Sequence, residues 1–115
     1  MNGIVHVELP TPDLEKSGAF YSAVFGWEMT PLPGQDFWLW KAPDGPGGGL
    51  MKEQVVSEAG PVIYIEVADI EAALASVAEH GGGVLKEKTE IGGGMGYYAL
   101  FSDNVGNRVG LWSKD

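Results

Sequence analysis

Near the N-terminus, "IVHVELPTPD" places an imidazole two residues before a carboxylate. In a strand, residues i and i+2 share a face. Ile4, His6 and Glu8 would then line one side, and Val5, Val7 and Leu9 the other. Imidazole exchanges a proton near neutral pH and ligates metals. A carboxylate accepts hydrogen bonds and can serve as a base. The pair therefore reads as part of a metal site, an acid–base pair, a ligand-reading pair or a structural contact. Along a strand the two positions lie about 6.5–7 Å apart, which suits a shared water or ligand better than a direct dyad.

Further candidates carry aromatic rings or acids. Val62, Tyr64 and Glu66 would share one strand face. In "FWLWKA", Trp38 and Trp40 fall on one face and Phe37 and Leu39 on the other. Trp112 follows Gly110 at i+2, and Met51 stands in the corresponding place of the first half. Tyr64, Glu66, Trp38, Trp40, Met51 and Trp112 are expected to line a ligand pocket, with Tyr64 its principal aromatic. Each also has a plain reading. The acids could be solvated strand ends, and the indoles could plug a cavity or cover a dimer interface, as Trp27 could after its helix-ending glycine. His80 falls at a helix end, where an imidazolium favours the dipole. The runs "GPGGG" and "IGGGMG" match neither phosphate-binding glycine pattern and read as hairpin loops. No Gly-x-Ser-x-Gly or His-Glu-x-x-His motif is present, so a nucleophilic hydrolase is not supported.

The totals narrow the classes. The 115 residues suit one domain. A net charge of −9 opposes nucleic-acid binding and could draw in a cationic ligand. No apolar run approaches the ~20 residues of a membrane span, and no leader segment is read. Without cysteine there can be no disulfide or thiolate metal site. A cytoplasmic location is expected.

The elements that must position these residues form a repeat. Gly3 to Leu9 reads as a strand. "TPD" starts a helix, with Thr11 as cap, Pro12 in the first turn and Asp13 at the positive end. Leu14, Ser17, Tyr21, Val24 and Phe25 recur along it, and Gly26 ends it. Strands "WEMTPL" and "FWLWKA" and a glycine-rich turn into "LMKEQV" complete the first half. The second half runs through strand "PVIYIEVA", a helix capped by Asp69 with the stripe Ile70, Ala73, Leu74, Val77 and Ala78, and strands "VLKEKTEI", "YYALFSD" and "RVGLWS". Seven residues separate His6 from Asp13 and Val62 from Asp69, and thirteen separate each aspartate from its helix-ending glycine. The chain therefore reads as βαβββ twice, an α+β domain with modules at about 1–57 and 58–115.

That repeat, with "HVELPTPDLEKSGAFYSAVFGWEM" ahead and "YALFSDNVGNRVGLW" behind, resembles the vicinal oxygen chelate superfamily of glyoxalases, bleomycin-resistance proteins and ring-cleaving dioxygenases. The resemblance spans the chain. It implies two modules paired into a curved, cup-like mixed sheet with helices outside, and a homodimer in which modules can be swapped. Metal-dependent members hold a divalent ion with His or Gln, Glu, His and Glu. Carried over, those positions fall on His6, Gly49, Val62 and Gly110. One of four can ligate, whereas a catalytic ion takes about three protein ligands. His6, Glu8 and Glu66 would be a different set. The resemblance is therefore to the metal-free branch, with no metal and no cofactor. The expected function is metal-independent binding of a small molecule in an aromatic-lined cup. The alternatives are a lyase or isomerase acting on a carbonyl compound with His6 or Glu8 as base, and a structural module closed by its tryptophans.

Overall fold

The computed structural model describes residues 1–55 and 60–115. Two compact units result, Met1–Val55 and Val56–Asp115. The module boundary expected at 57/58 lies outside the described residues.

In the first unit, β1 (His6–Thr11), α1 (Leu14–Phe25), β2 (Glu28–Pro31), β3 (Phe37–Lys41) and β4 (Gly47–Lys52) follow one another. The sheet order is β1-β4-β3-β2, with β1 parallel to β4 and the other pairs antiparallel. The second unit repeats the plan with β5 (Tyr64–Glu66), α2 (Ile70–Glu79), β6 (Gly83–Glu90), β7 (Tyr97–Ser102) and β8 (Arg108–Ser113) in the order β5-β8-β7-β6. This is the α+β, twice-βαβββ architecture read from the sequence.

Local chemistry explains the helix ends and corrects one of them. Asp13, in extended conformation, is the N-cap of α1, and its carboxylate accepts the Lys16 N–H at 3.1 Å. Thr11 is not the cap. Its hydroxyl accepts the Asp13 N–H and the buried Ser17 hydroxyl, pinning the end of β1 to the first turn. Pro12 accordingly precedes the helix. Gly26 closes α1 at φ 71, where a side chain would be strained. Asp69 caps α2 in the same way as Asp13 caps α1, and His80 ends it with Nδ1 2.8 Å from the Ser76 carbonyl.

Each helix lies on one face of its sheet. From α1, Phe20 and Tyr21 are buried. Trp27 stacks between Tyr21 and Trp40, at centroid distances of 4.7 and 4.0 Å. Trp27 is thus core rather than interface. Gly18 admits the Trp38 ring, which would lie 2.7 Å from an added Cβ. From α2, Ile70, Leu74 and Val77 are buried, whereas Ala78 is exposed.

Several strand boundaries moved, and of the expected strand "PVIYIEVA" only Tyr64–Glu66 forms strand. The first strand begins at His6, leaving Ile4 and Val5 largely exposed, and it runs on to Thr11. Gly47, Gly48 and Gly49 are strand, not loop. A Cβ on Gly48 would sit 1.7 Å from the Val7 carbonyl oxygen, so β1 and β4 approach as only glycine permits.

Between β7 and β8, buried Asp103 organises the turn. Its carboxylate accepts the N–H groups of Val105 and Asn107 and the Asn107 side-chain amide, at 3.0, 2.8 and 2.9 Å. Asp103→Ala leaves these donors without that acceptor, and is expected to cost on the order of 2–3 kcal/mol in urea denaturation. A loss below about 0.5 kcal/mol would refute this account of the turn.

Candidate functional site

The face of each sheet turned away from its helix carries the chemistry. In the first unit, register and alternation put His6, Glu8, Phe37, Leu39, Gly49 and Met51 on that face. His6 Nε2 lies 3.0 Å from Glu8 Oε2. The pair expected to need a bridging molecule is bonded directly, because two long side chains leaning toward each other span the i to i+2 step. The side chains are 42% and 43% exposed, so the contact is worth at most about 1 kcal/mol. It leaves both groups reachable. The His6 ring lies within 8° of parallel to Phe37, with centroids 6.5 Å apart.

Gly49 stands level with Glu8 on β1 and with Leu39 on β3. The Phe37 ring lies over it, 2.1 Å from where a Cβ would start. In the second unit Gly110 stands level with Tyr64. The Tyr64 ring covers it, with two ring carbons 2.4 Å from the Cβ position. The two halves therefore use one device: a glycine on the central parallel strand, and an aromatic ring laid on its bare backbone. Aromatic cover of a strand glycine restores packing that the missing side chain forfeits. The matching registers, Glu8 with Gly49 and Tyr64 with Gly110, fix Gly49 and Gly110 as equivalent positions.

The rest of the second face follows. Glu66 and Tyr98 stand level with Trp112 on its two sides. Lys86 Nζ lies 5.8 Å from the Tyr98 ring centroid. The Trp112 indole N–H donates to the Met95 carbonyl at 2.9 Å, tying the Gly92–Gly96 loop to this face. Gly96 (φ 86) passes so close to Trp112 and the Ser113 carbonyl that a side chain has no room.

Tyr64, Glu66, Met51 and Trp112 thus lie on the faces free of helices, as His6 and Glu8 do. Trp38 and Trp40 do not. They alternate to the helix side, where Trp40 is 5% exposed and its indole donates to the Gly49 carbonyl at 3.1 Å. Phe37 had no role in the sequence reading. Pairing "FWL" against "GLM" in antiparallel register sets Leu39 level with Gly49 and Phe37 level with Met51, on the same face, from where the Phe37 ring reaches diagonally over the glycine. Phe37 and Tyr64 fill the space that the missing side chains at positions 49 and 110 leave.

Of the positions that the resemblance assigns to a divalent ion, Gly49, Val62 and Gly110 have no donor atom in their side chains. Rings stand where donor side chains would begin at two of them. Among the described residues, no three His, Asp or Glu side chains gather as a metal group would require. The residues present do not fit the ion.

The model of the Glyoxalase/Bleomycin resistance protein/Dioxygenase superfamily matches residues 3–111. The chain belongs to that superfamily. Within it, a glyoxylase-like domain-containing protein of Didymella fabae is 28% identical over 116 residues, covering 94% of this chain and 91% of that protein. The putative glyoxylase CFP32 of Mycobacterium bovis is 28% identical over 129 residues, and this chain spans only 44% of its length. Among solved structures, the fosfomycin resistance protein FosX of Listeria monocytogenes superposes with a TM-score of 0.81 at 17% identity, covering 98% of this chain and 93% of FosX. A superfamily enzyme from Burkholderia phytofirmans gives 0.77 at 16% identity, covering 96% and 97%. At these identities the superpositions show the glyoxalase fold. Among the described residues, no helix is long and apolar enough to cross a membrane.

Proposed function

We propose that this superfamily member binds a small molecule without a metal ion, using side chains on the sheet faces its helices leave free. The observation that carries the reading is the pair of covered glycines. Where a chelating member needs carboxylates, this chain sets Phe37 over Gly49 and Tyr64 over Gly110. The contact residues in this reading are Tyr64, Glu66, Met51 and Trp112, with His6 and Glu8 as polar points. The protein acts in the cytoplasm as a homodimer, a state that sedimentation would report. A Glu-to-Gln mutant of FosX has been crystallised with Mn(II) and a dihydroxypropylphosphonic acid, so the fold can hold a metal and ligand together. The departure proposed here is local to the donor positions.

The test is metal content. Protein purified without chelator, then equilibrated with Mn²⁺, Ni²⁺ or Zn²⁺ and desalted, should retain far less than one ion per chain by elemental analysis. One ion per chain of any of the three would overturn the metal-independent reading.

A second reading is favoured by the 3.0 Å His6–Glu8 contact. A carboxylate orients an imidazole for proton transfer, which would suit a lyase or isomerase that takes a proton beside a carbonyl group. If the protein turns over such a substrate, His6→Ala should lower kcat by about 10²-fold or more. An unchanged rate would remove His6 from the chemistry.

A further inference from the structure

We propose that the Asn2–Gly3 peptide is a site of spontaneous deamidation, at which the chain gains a carboxylate ahead of β1. The site is independent of whatever the sheet faces bind. Asparagine is a thermolabile residue, because its side-chain carbonyl carbon lies within reach of the next backbone nitrogen. That nitrogen, after losing its proton to solvent base, attacks Cγ. A C–N bond forms and closes a five-membered imide. The bond to the side-chain nitrogen breaks, and ammonia leaves with a proton taken from solvent. One water molecule then opens the imide at either carbonyl, giving aspartate or its β-linked isomer. The sum is asparagine plus water to acid plus ammonia, with no oxidation or reduction.

Closure needs a following residue that leaves the nitrogen uncrowded, a nitrogen free of other bonds, and a backbone free to turn. The chain has three asparagines, Asn2, Asn104 and Asn107, and Asn2 alone meets all three needs. Gly3 follows it, the residue type with no side chain and the widest choice of φ and ψ. Both are exposed and precede β1, whose pairing starts at His6↔Gly47. Among the described residues nothing hydrogen-bonds to either. Asn2 stands at φ 74, so the backbone there is outside strand geometry, in a conformation that asparagine tolerates.

The other two are held by Asp103. Behind Asn104, the Val105 N–H donates to the Asp103 carboxylate at 3.0 Å, which turns the attacking nitrogen away, and valine is β-branched. Asn107 is 8% exposed, and its side-chain amide donates to the same carboxylate at 2.9 Å. Arg108, behind it, is paired into β8 opposite Ser102. The turn that Asp103 organises therefore shields two asparagines, and the segment before β1 leaves the third open.

Timed incubation of the chain at mildly alkaline pH, followed by trypsin and mass spectrometry, tests the site. Trypsin places Asn2 in residues 1–16 and the other two in residues 89–108. The first peptide should gain the mass of an amide-to-acid change about tenfold or more faster than the second. A parallel incubation in urea separates structure from sequence. Unfolding should leave the Asn2 rate within about threefold of its native value and raise the rate in residues 89–108 several-fold. N-terminal sequencing should halt at position 2 in part of the product, where the β-linked isomer diverts the main chain. Gly3→Val changes only the residue that follows. The φ of Gly3 is not left-handed and nothing lies within 4 Å of an added Cβ, so the fold is kept. This variant should slow the Asn2 reaction about tenfold or more. An unchanged rate in Gly3→Val overturns the proposal, as does a first peptide that reacts no faster than the second. A native Asn2 rate more than about tenfold below the urea rate overturns it too, and product that sequences through completely overturns the imide route.

Discussion

Gly48→Ala should disrupt the first unit more than any conservative surface change, with a loss above about 4 kcal/mol. The added methyl carbon would lie 1.7 Å from the Val7 carbonyl oxygen and 2.7 Å from the Trp40 ring. The first obstacle is backbone, so no rotamer change relieves it. The parallel pairing of β1 with β4, from His6↔Gly47 to Thr11↔Lys52, would have to separate or slip. Typical domains have only about 5–15 kcal/mol to lose. Urea unfolding followed by tryptophan emission gives the number, because Trp27 and Trp40 report on this unit. Stability within about 1 kcal/mol of wild type would mean that the two strands do not approach as described.

Trp40→Ala comes second, at about 3–5 kcal/mol. The indole is 5% exposed, stacks on Trp27 at 4.0 Å and donates to the Gly49 carbonyl. Truncation opens a cavity under α1 and frees a buried acceptor. Trp40→Phe keeps part of the stack and loses the N–H, so it should cost less. Near-UV circular dichroism should weaken in both variants, because the stack that immobilises the Trp27 and Trp40 indoles is lost or reduced. A loss below about 1 kcal/mol for Trp40→Ala would contradict the stacked core. The hydrogen bond also ties the core to the candidate site, since the Gly49 it holds is the one Phe37 covers.

Much of the architecture was legible because two periods coexist in the chain. The alternation in "HVEL" and the helical spacing of Ile70, Leu74 and Val77 each identify their element, and Asp13, Asp69 and Gly26 mark the ends. The repeat was legible from the spacing of aspartate and glycine alone. The start of β1 was not. Ile4 and Val5 continue the alternation, but β4 begins its pairing opposite His6, and a strand lasts only as long as its partner. The direction in which Trp38 and Trp40 face was not legible either. Alternation separates them from Phe37 and Leu39 without saying which pair meets the helix. Tertiary fit decides it: the gap at Gly18 accepts the Trp38 ring, and Trp27 accepts Trp40. The His6–Glu8 contact escaped because the strand repeat fixes Cα spacing and not the lean of long side chains.

The rings over Gly49 and Gly110 also bear on how such a protein can change over generations. A glutamate introduced at either glycine meets an occupied space, so it is harmful while the ring remains. Removing the ring alone strips cover from bare backbone and is harmful while the glycine remains. Each pair is therefore linked by reciprocal sign epistasis: two single steps downhill flank any route to a carboxylate at that position. Under the proposed metal-independent reading, packing alone would hold a chain with both pairs away from carboxylates at these two positions.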